Sequence, residues 1–183
     1  IQNGHLYIAR PPLYKIKKGK EELYLMDDKE LSHALINYGS KDYQFQTSQG
    51  TVFKGDELQS ELKNISIAES ILSRIPDRYE KKFLEQIAIA GCLDVSKFKD
   101  NAKASIEACK YLSQRIDMIT PDYERGWEAK FEYSHGFTFT RKVRGVDDIS
   151  IIDMDLIKSQ AIETLSKNYD SLYAMFQAPG KLL

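Results

Sequence analysis

The alternation of apolar and polar positions is strongest between Trp127 and Arg144. Trp127, Ala129, Phe131 and Tyr133 alternate with Glu128, Lys130 and Glu132; Phe137, Phe139 and Val143 alternate with Thr138, Thr140 and Lys142. A period of two puts each set on one face of a strand, which predicts an antiparallel hairpin with its aromatics inward. Keeping them on one face predicts Tyr133 opposite Phe137, Phe131 opposite Phe139 and Glu128 opposite Lys142. Ser134-His135-Gly136 is then the loop, and Trp127, Phe131, Phe139 and Val143 share a buried face. A third strand is expected over 149–152, after a loop at Gly145–Asp148.

Two shorter hairpins are expected earlier: Leu13–Lys17 with Glu22–Met26 around Gly19, and Tyr43–Phe45 with Thr51–Phe53 around Ser48-Gln49-Gly50. Asp27-Asp28 caps a predicted helix over 29–37. A helical period of apolar residues follows. Asp56 caps a helix carrying Leu58, Leu62, Ile65, Leu72 and Ile75, which Pro76 stops. Asp77 and Glu80 read as a capping box for the next helix, which carries Tyr79, Phe83, Leu84 and Ile87 and ends at Gly91. Ile106, Cys109, Leu112, Ile116 and Ile119 form the stripe of a helix from about Asn101 to Ile119. The last helical stretch reaches about Phe176 with Leu165, Tyr169 and Leu172, and is expected to break near Ser159. Together these elements predict an α+β fold: antiparallel β-hairpins packed with a helical block.

Composition narrows the function. The 183 residues carry a formal net charge of −1, 42% hydrophobic and 29% charged residues, as an ordinary globular domain does. Bulk charge therefore does not attract a polyanion, and any nucleic-acid contact must come from a local patch. No apolar run approaches the ~18 residues of a membrane span. Cys92 and Cys109 fall in helical segments and are expected to be reduced and buried. The chain opens at Ile1 without an initiator methionine, which suggests a piece of a longer protein.

The candidate chemistry is sparse. Asp153-Met154-Asp155 is an Asp-x-Asp pair, but it stands where a helix begins, so capping accounts for it. Asp27-Asp28 has the same explanation. His5, His33 and His135 are scattered without ligands at metal spacing. No phosphate loop, nucleophile elbow or Cys-x-x-Cys occurs. Catalytic residues and metal ligands are therefore expected to be absent. Two basic clusters remain: Lys15, Lys17, Lys18 and Lys20 on the first hairpin, and Arg141, Lys142 and Arg144 at the end of the aromatic hairpin. Each fits either a solvated strand edge or a set of phosphate contacts.

A resemblance adds to this reading. Gly4-His5-Leu6-Tyr7-Ile8-Ala9-Arg10-Pro11-Pro12-Leu13-Tyr14-Lys15 resembles the segment that follows the TOPRIM motif in the B-subunit family of bacterial DNA gyrase. Lys17-Lys18-Gly19-Lys20, Tyr24, Asp27 and Asp28 continue that pattern. The related topoisomerase IV protein has a similar opening segment. Arg74-Ile75-Pro76-Asp77-Arg78-Tyr79 and Arg141-Lys142-Val143-Arg144-Gly145-Val146 resemble parts of the large insertion of Gram-negative gyrase B subunits, which topoisomerase IV lacks. The resemblance implies TOPRIM-side scaffold strands over 1–27, an insertion domain over 28–176 and an exit segment over 177–183. It implies a cytoplasmic parent enzyme that introduces negative supercoils, using ATP and magnesium held by residues before residue 1. Its partners would be the gyrase A subunit and double-stranded DNA. The insertion itself would serve DNA binding and A-subunit communication, or act as a purely structural docking domain on the TOPRIM scaffold.

Overall fold

A computed structural model describes residues 10–183; Leu6-Tyr7-Ile8, whose β propensity predicts a strand before the Pro11-Pro12 break, and His5 lie outside the described residues. The first unit is the expected hairpin of β1 (Tyr14–Lys18) and β2 (Glu21–Leu25), in the register Tyr14↔Leu25 to Lys18↔Glu21. It leads into α1 (Asp28–Gly39), capped by Asp27, whose carboxylate accepts from the Glu30 N–H at 2.9 Å. The Glu30 carboxylate accepts in return from the Met26 N–H at 2.6 Å. These reciprocal bonds fix where the hairpin ends and the helix starts.

The second unit is the hairpin of β3 (Gln44–Thr47) and β4 (Val52–Lys54), followed by α2 (Gly55–Ser73). Lys54 precedes α2 without a side-chain cap, so Asp56 lies inside the first turn rather than at the cap, where it faces the positive end of the helix dipole. A short terminal strand, β8 (Gly180–Leu182), completes this sheet in the order β4-β3-β8. Gln44 and Leu183 exchange backbone hydrogen bonds of 2.9 and 2.8 Å, so the stretch over 44–183 starts and finishes side by side. Phe53, Leu58 and Met175 form a small core here.

The main core lies between α3 (Lys81–Ile89), α4 (Ala102–Ile119), three short helices and the third sheet. Asp77 and Glu80 do not form a capping box. The Tyr79 N–H bonds to the Pro76 carbonyl at 3.1 Å, making a turn that buries the Tyr79 ring, and α3 begins only at Lys81. Its end is a Schellman motif: Cys92 N–H to the Ile87 carbonyl and Gly91 N–H to the Ala88 carbonyl, both 3.0 Å. On α4 the buried arc is narrower than the predicted stripe. Cys109, Leu112, Arg115 and Ile116 are buried, whereas Ile106 and Ile119 are exposed. The last helical stretch breaks at Ser159 as expected, between α5 (Met154–Ile157) and α6 (Gln160–Ser166), and breaks a second time at Lys167-Asn168, before α7 (Tyr169–Phe176).

The third sheet runs β5-β6-β7, with β5 at Glu128–Glu132, β6 at Gly136–Val143 and β7 at Val146–Asp153. The aromatic face is as predicted, but the register is not. Phe131 pairs with Phe137, Ala129 with Phe139 and Glu128 with Thr140, two residues from the expected alignment. Gly136 explains the shift. It holds φ at 98° inside the ladder, and a Cβ there would lie 2.2 Å from the Ile152 carbonyl oxygen of β7. The glycine is therefore needed where β6 meets β7, and the loop moves back to Tyr133-Ser134-His135. Tyr133 and Val143 are consequently exposed, while Phe137, Phe139 and Trp127 are buried. The third strand is longer than expected because its turn is only Arg144-Gly145, both at positive φ, as a type I′ hairpin requires.

Candidate nucleic-acid interface

The first-hairpin lysines do not form one patch. Opposed residues of a ladder share a face, so Lys15 and Lys17 lie with Tyr24 and Glu22, and Lys18 lies on the other side with Glu21. Lys15 Nζ is 2.7 Å and Lys17 Nζ 3.9 Å from the Glu22 carboxylate. One carboxylate thus draws two ammonium groups toward itself. Lys18 instead reaches over α1, with Nζ 4.9 Å from the centre of the Tyr38 ring. Lys41 approaches the same ring at 5.9 Å. A tyrosine face attracts a cation, which lets two positive charges share one ring despite their repulsion. Lys20 sits exposed at the turn beside Gly19.

The second cluster divides differently. Arg141 is nearly enclosed, with a side chain 14% exposed. Its Nε donates to Asp148 Oδ2 at 2.8 Å, its Nη1 donates to the Glu124 carbonyl at 2.8 Å, and its guanidinium lies 4.7 Å from the centre of the Trp127 ring. Lys142 is exposed opposite Asp147. Arg144 stands at the turn with φ at 51°, the one non-glycine residue at positive φ among those described. The structure therefore brings Lys18 and Lys41 together at Tyr38, leaves Lys20 exposed at the first hairpin's turn and Arg144 at a separate tip, and engages Lys15, Lys17 and Arg141 within the chain. Lys41 was not singled out from the sequence. Nothing local marks it; it joins Lys18 only because α1 ends beside the first hairpin.

The Asp153-Met154-Asp155 pair does not fit a magnesium site. Asp153 Oδ1 accepts from the Leu156 N–H at 2.8 Å as the cap of α5, and Oδ2 accepts from the Tyr79 hydroxyl at 2.6 Å. Arg78 in turn donates to that hydroxyl at 2.5 Å. Partial burial works against the Asp153 charge. The Tyr79 and backbone hydrogen bonds and the Arg78 charge outweigh it and hold the carboxyl below its ordinary range. Among the described residues, no three His, Cys, Asp or Glu side chains converge as a metal-binding group. Cys92 and Cys109 are free and buried, as expected. Burial, with a further contribution from Cys109, pushes the Cys92 thiol up to about 12, so it is a packing residue and not a nucleophile. No helix among the described residues is long and apolar enough to cross a membrane.

A self-closing α+β module preceded by a hairpin and helix is the class of domain these elements define. The sequence model described as "DNA gyrase B subunit insert domain" matches residues 45–180, and that described as "GyrB, hook" matches residues 12–35. The chain belongs to the family of DNA gyrase B subunit insert domains. It is 28% identical over 176 residues to the DNA gyrase B subunit of Caulobacter vibrioides (strain NA1000 / CB15N), covering 96% of this chain and 20% of the relative. It is 26% identical over 183 residues to the DNA gyrase B subunit of Rickettsia bellii (strain RML369-C), covering 100% of this chain and 22% of the relative. The type 2 topoisomerase B subunit of Aquifex aeolicus (strain VF5) is 45% identical over 58 residues, covering 32% of this chain and 7% of the relative. The chain thus spans about a fifth of the length of the gyrase relatives it matches.

Proposed function

We propose that the chain works as the hook and insert portion of a gyrase B subunit, in an ATP-dependent type II topoisomerase that introduces negative supercoils. On this reading ATP and magnesium act at residues outside this chain, the partners are the A subunit and double-stranded DNA, and the setting is the cytoplasm. Within the chain, the proposed DNA contact is Lys18 and Lys41 at Tyr38 together with the exposed Lys20 of the adjoining hairpin turn, with Arg144 as a second contact. Lys15, Lys17 and Arg141 contribute less, because each already forms an ion pair, with Glu22 or Asp148. The observation that supports this most is the convergence of Lys18 and Lys41 on one tyrosine ring.

At a net charge of −1 the module binds duplex DNA only through such a patch, so affinity is weak and without sequence preference. Few phosphate contacts give a dissociation constant of about 10⁻⁴ M or weaker at physiological salt, with a slope of about −0.9 per phosphate neutralised. In a full enzyme that already holds DNA, high effective concentration makes such contacts count. The test is a salt titration of duplex binding. Replacing Lys18, Lys20 and Lys41 by Ala should flatten the slope, whereas replacing Lys15 and Lys17 should leave it nearly unchanged. No binding at low salt, or an unchanged slope in the first variant, favours the second reading of a docking module without DNA contact. That reading draws on an apolar cleft of about 470 Å³ lined by Leu35, Tyr43, Phe45, Leu62, Met175 and Leu182.

A further inference from the structure

Among the described residues β7 pairs only with β6, so its other side is an open strand edge. Its solvent row reads Asp147, Ile149, Ile151 and Asp153. Ile149 and Ile151 are 55% and 50% exposed. Nothing in Val146–Asp153 carries the lysine or proline that usually guards such an edge. At the end of the row lies a cleft of about 430 Å³ bounded by Glu132, Thr138, Ile151, Asp153 and Asp155. Three carboxylates border it. The positive groups nearby are Arg78, which donates to the Tyr79 hydroxyl that Asp153 accepts from, His135, 3.2 Å from Glu132, and Lys158, whose Nζ lies 5.7 Å from the Tyr133 ring centre; the carboxylates of Glu132 and Asp155 carry no bond to Arg78. At the opposite end Lys142 faces Asp147. Negative charge is therefore concentrated at the Asp153 end.

We propose that the β7 edge receives an extended segment of a protein partner as an added antiparallel strand. The segment reads basic–x–apolar–x–apolar from its N-terminus. Backbone hydrogen bonds supply the pairing, and alternate side chains supply the selection. Its two apolar residues oppose Ile151 and Ile149, and its lysine or arginine, opposite Asp153, enters the carboxylate cleft. A second copy of this chain is a poorer occupant. Symmetric antiparallel pairing about Ser150 sets Asp147 against Asp153 twice, and like charges across a ladder repel. The acidic cleft likewise repels a nucleic acid. This surface is separate from the lysine cluster proposed for DNA, so either can fail alone.

The probe is a fluorescein-labelled octapeptide of sequence GRTVTITG, titrated with the 183-residue chain and read by anisotropy. Saturable binding is expected, and exchanging the peptide arginine for glutamate should weaken it about tenfold, as loss of a charge-assisted contact does. N-methylating the backbone amide of its valine, which opposes Ile151 and donates to the β7 edge, should do the same. Ile151→Lys and Asp155→Lys in the chain should each weaken it, and hydrogen exchange at the β7 amides should slow on peptide binding. Ile149→Thr, a mild change at an exposed position, provides a second edge variant with the same expected direction. Absence of saturable binding, equal affinity for the glutamate peptide, or unaltered exchange at β7 overturns the proposal. So does peptide-free self-association of the chain that Ile151→Lys abolishes, because that assigns the edge to a second copy.

Discussion

The β1-β2 and β6-β7 hairpins look alike in sequence, each a strand pair rich in basic residues around a tight turn, yet they hold their charges in opposite ways. In β6-β7 the key cation turns inward. Arg141 stacks near Trp127, bonds Asp148 across the ladder and ties to the Glu124 carbonyl, all beside the main core. In β1-β2 the ladder lies against little core. Leu25 is its one buried residue, and its lysines reach a surface glutamate or a surface tyrosine. The difference lies in the face each basic residue occupies, and a basic count cannot register it.

The sharpest way to break the comparison is to cut each hairpin's apolar support. The Phe139 ring is fully buried and stacks on Phe83, with centroids 4.4 Å apart and planes 14° apart. Phe139→Ala should cost about 3–5 kcal/mol in urea unfolding. Ile16→Ala, at a half-buried position of β1, should cost about 1 kcal/mol. Equal losses would mean that the two hairpins are anchored alike. Phe131 is only half-buried, so Phe131→Ala falls between them.

Reading the register from sequence failed for a reason visible in these residues. A one-residue slip moves every aromatic to solvent, so the face was legible; a two-residue slip keeps them inside and leaves no mark in the alternation. Gly136 decides between the two registers through its contact with β7, a strand whose start was itself misplaced. The same misplacement put Asp148 in a loop and hid the partner of Arg141. The first two hairpins, the Asp27 cap and the Ser159 break were legible because each is encoded within a few residues. β8 and the Lys18–Tyr38–Lys41 grouping were not, since both join distant segments.

The Arg141–Arg144 contrast inside one hairpin is the next test. Arg141→Ala should cost about 2 kcal/mol, because Asp148 loses a charge-assisted partner and Trp127 its stacked cation. Arg144→Gly should stabilise the chain by up to about 1 kcal/mol by relieving a left-handed conformation that a Cβ disfavours. If Arg144 contacts phosphate, that more stable variant also binds DNA less tightly. Stability and binding then move in opposite directions, which unfolding of the Arg144→Gly chain cannot produce.

Asp153 links the two halves of the main core, capping α5 while accepting from Tyr79 of the helical block. Its carboxyl is held below the ordinary range, so the folded chain binds its proton less readily than the unfolded chain does. The stability it contributes is fully present above the unfolded value of about 3.9 and is lost as pH falls through the lower folded value. Asp153→Asn keeps a capping side chain but removes the charge. It should cost about 1 kcal/mol at neutral pH and flatten the acid limb of the stability curve. An unchanged acid limb would show that the Tyr79 contact adds nothing to the carboxylate's preference for its charged form.

The smallest effect is expected where the sequence pattern is richest in charge. Lys15 Nζ lies 2.7 Å from the Glu22 carboxylate, close enough for a hydrogen-bonded ion pair, yet both side chains are more than a third exposed, at 45% and 38%. Water screens such a pair, and holding two long side chains in one arrangement costs conformational entropy. Lys17 stands ready at 3.9 Å to take the place of Lys15 against the same carboxylate. Lys15→Met removes the ammonium group, and with it both the Glu22 ion pair and the approach of Nζ to the Tyr24 ring centre at 5.3 Å. It should therefore shift stability by no more than about 0.5 kcal/mol, and the shift should vanish in high salt. A loss above that, persisting in salt, would mean that this hairpin holds its cations as firmly as β6-β7 holds Arg141, and would remove the contrast between them.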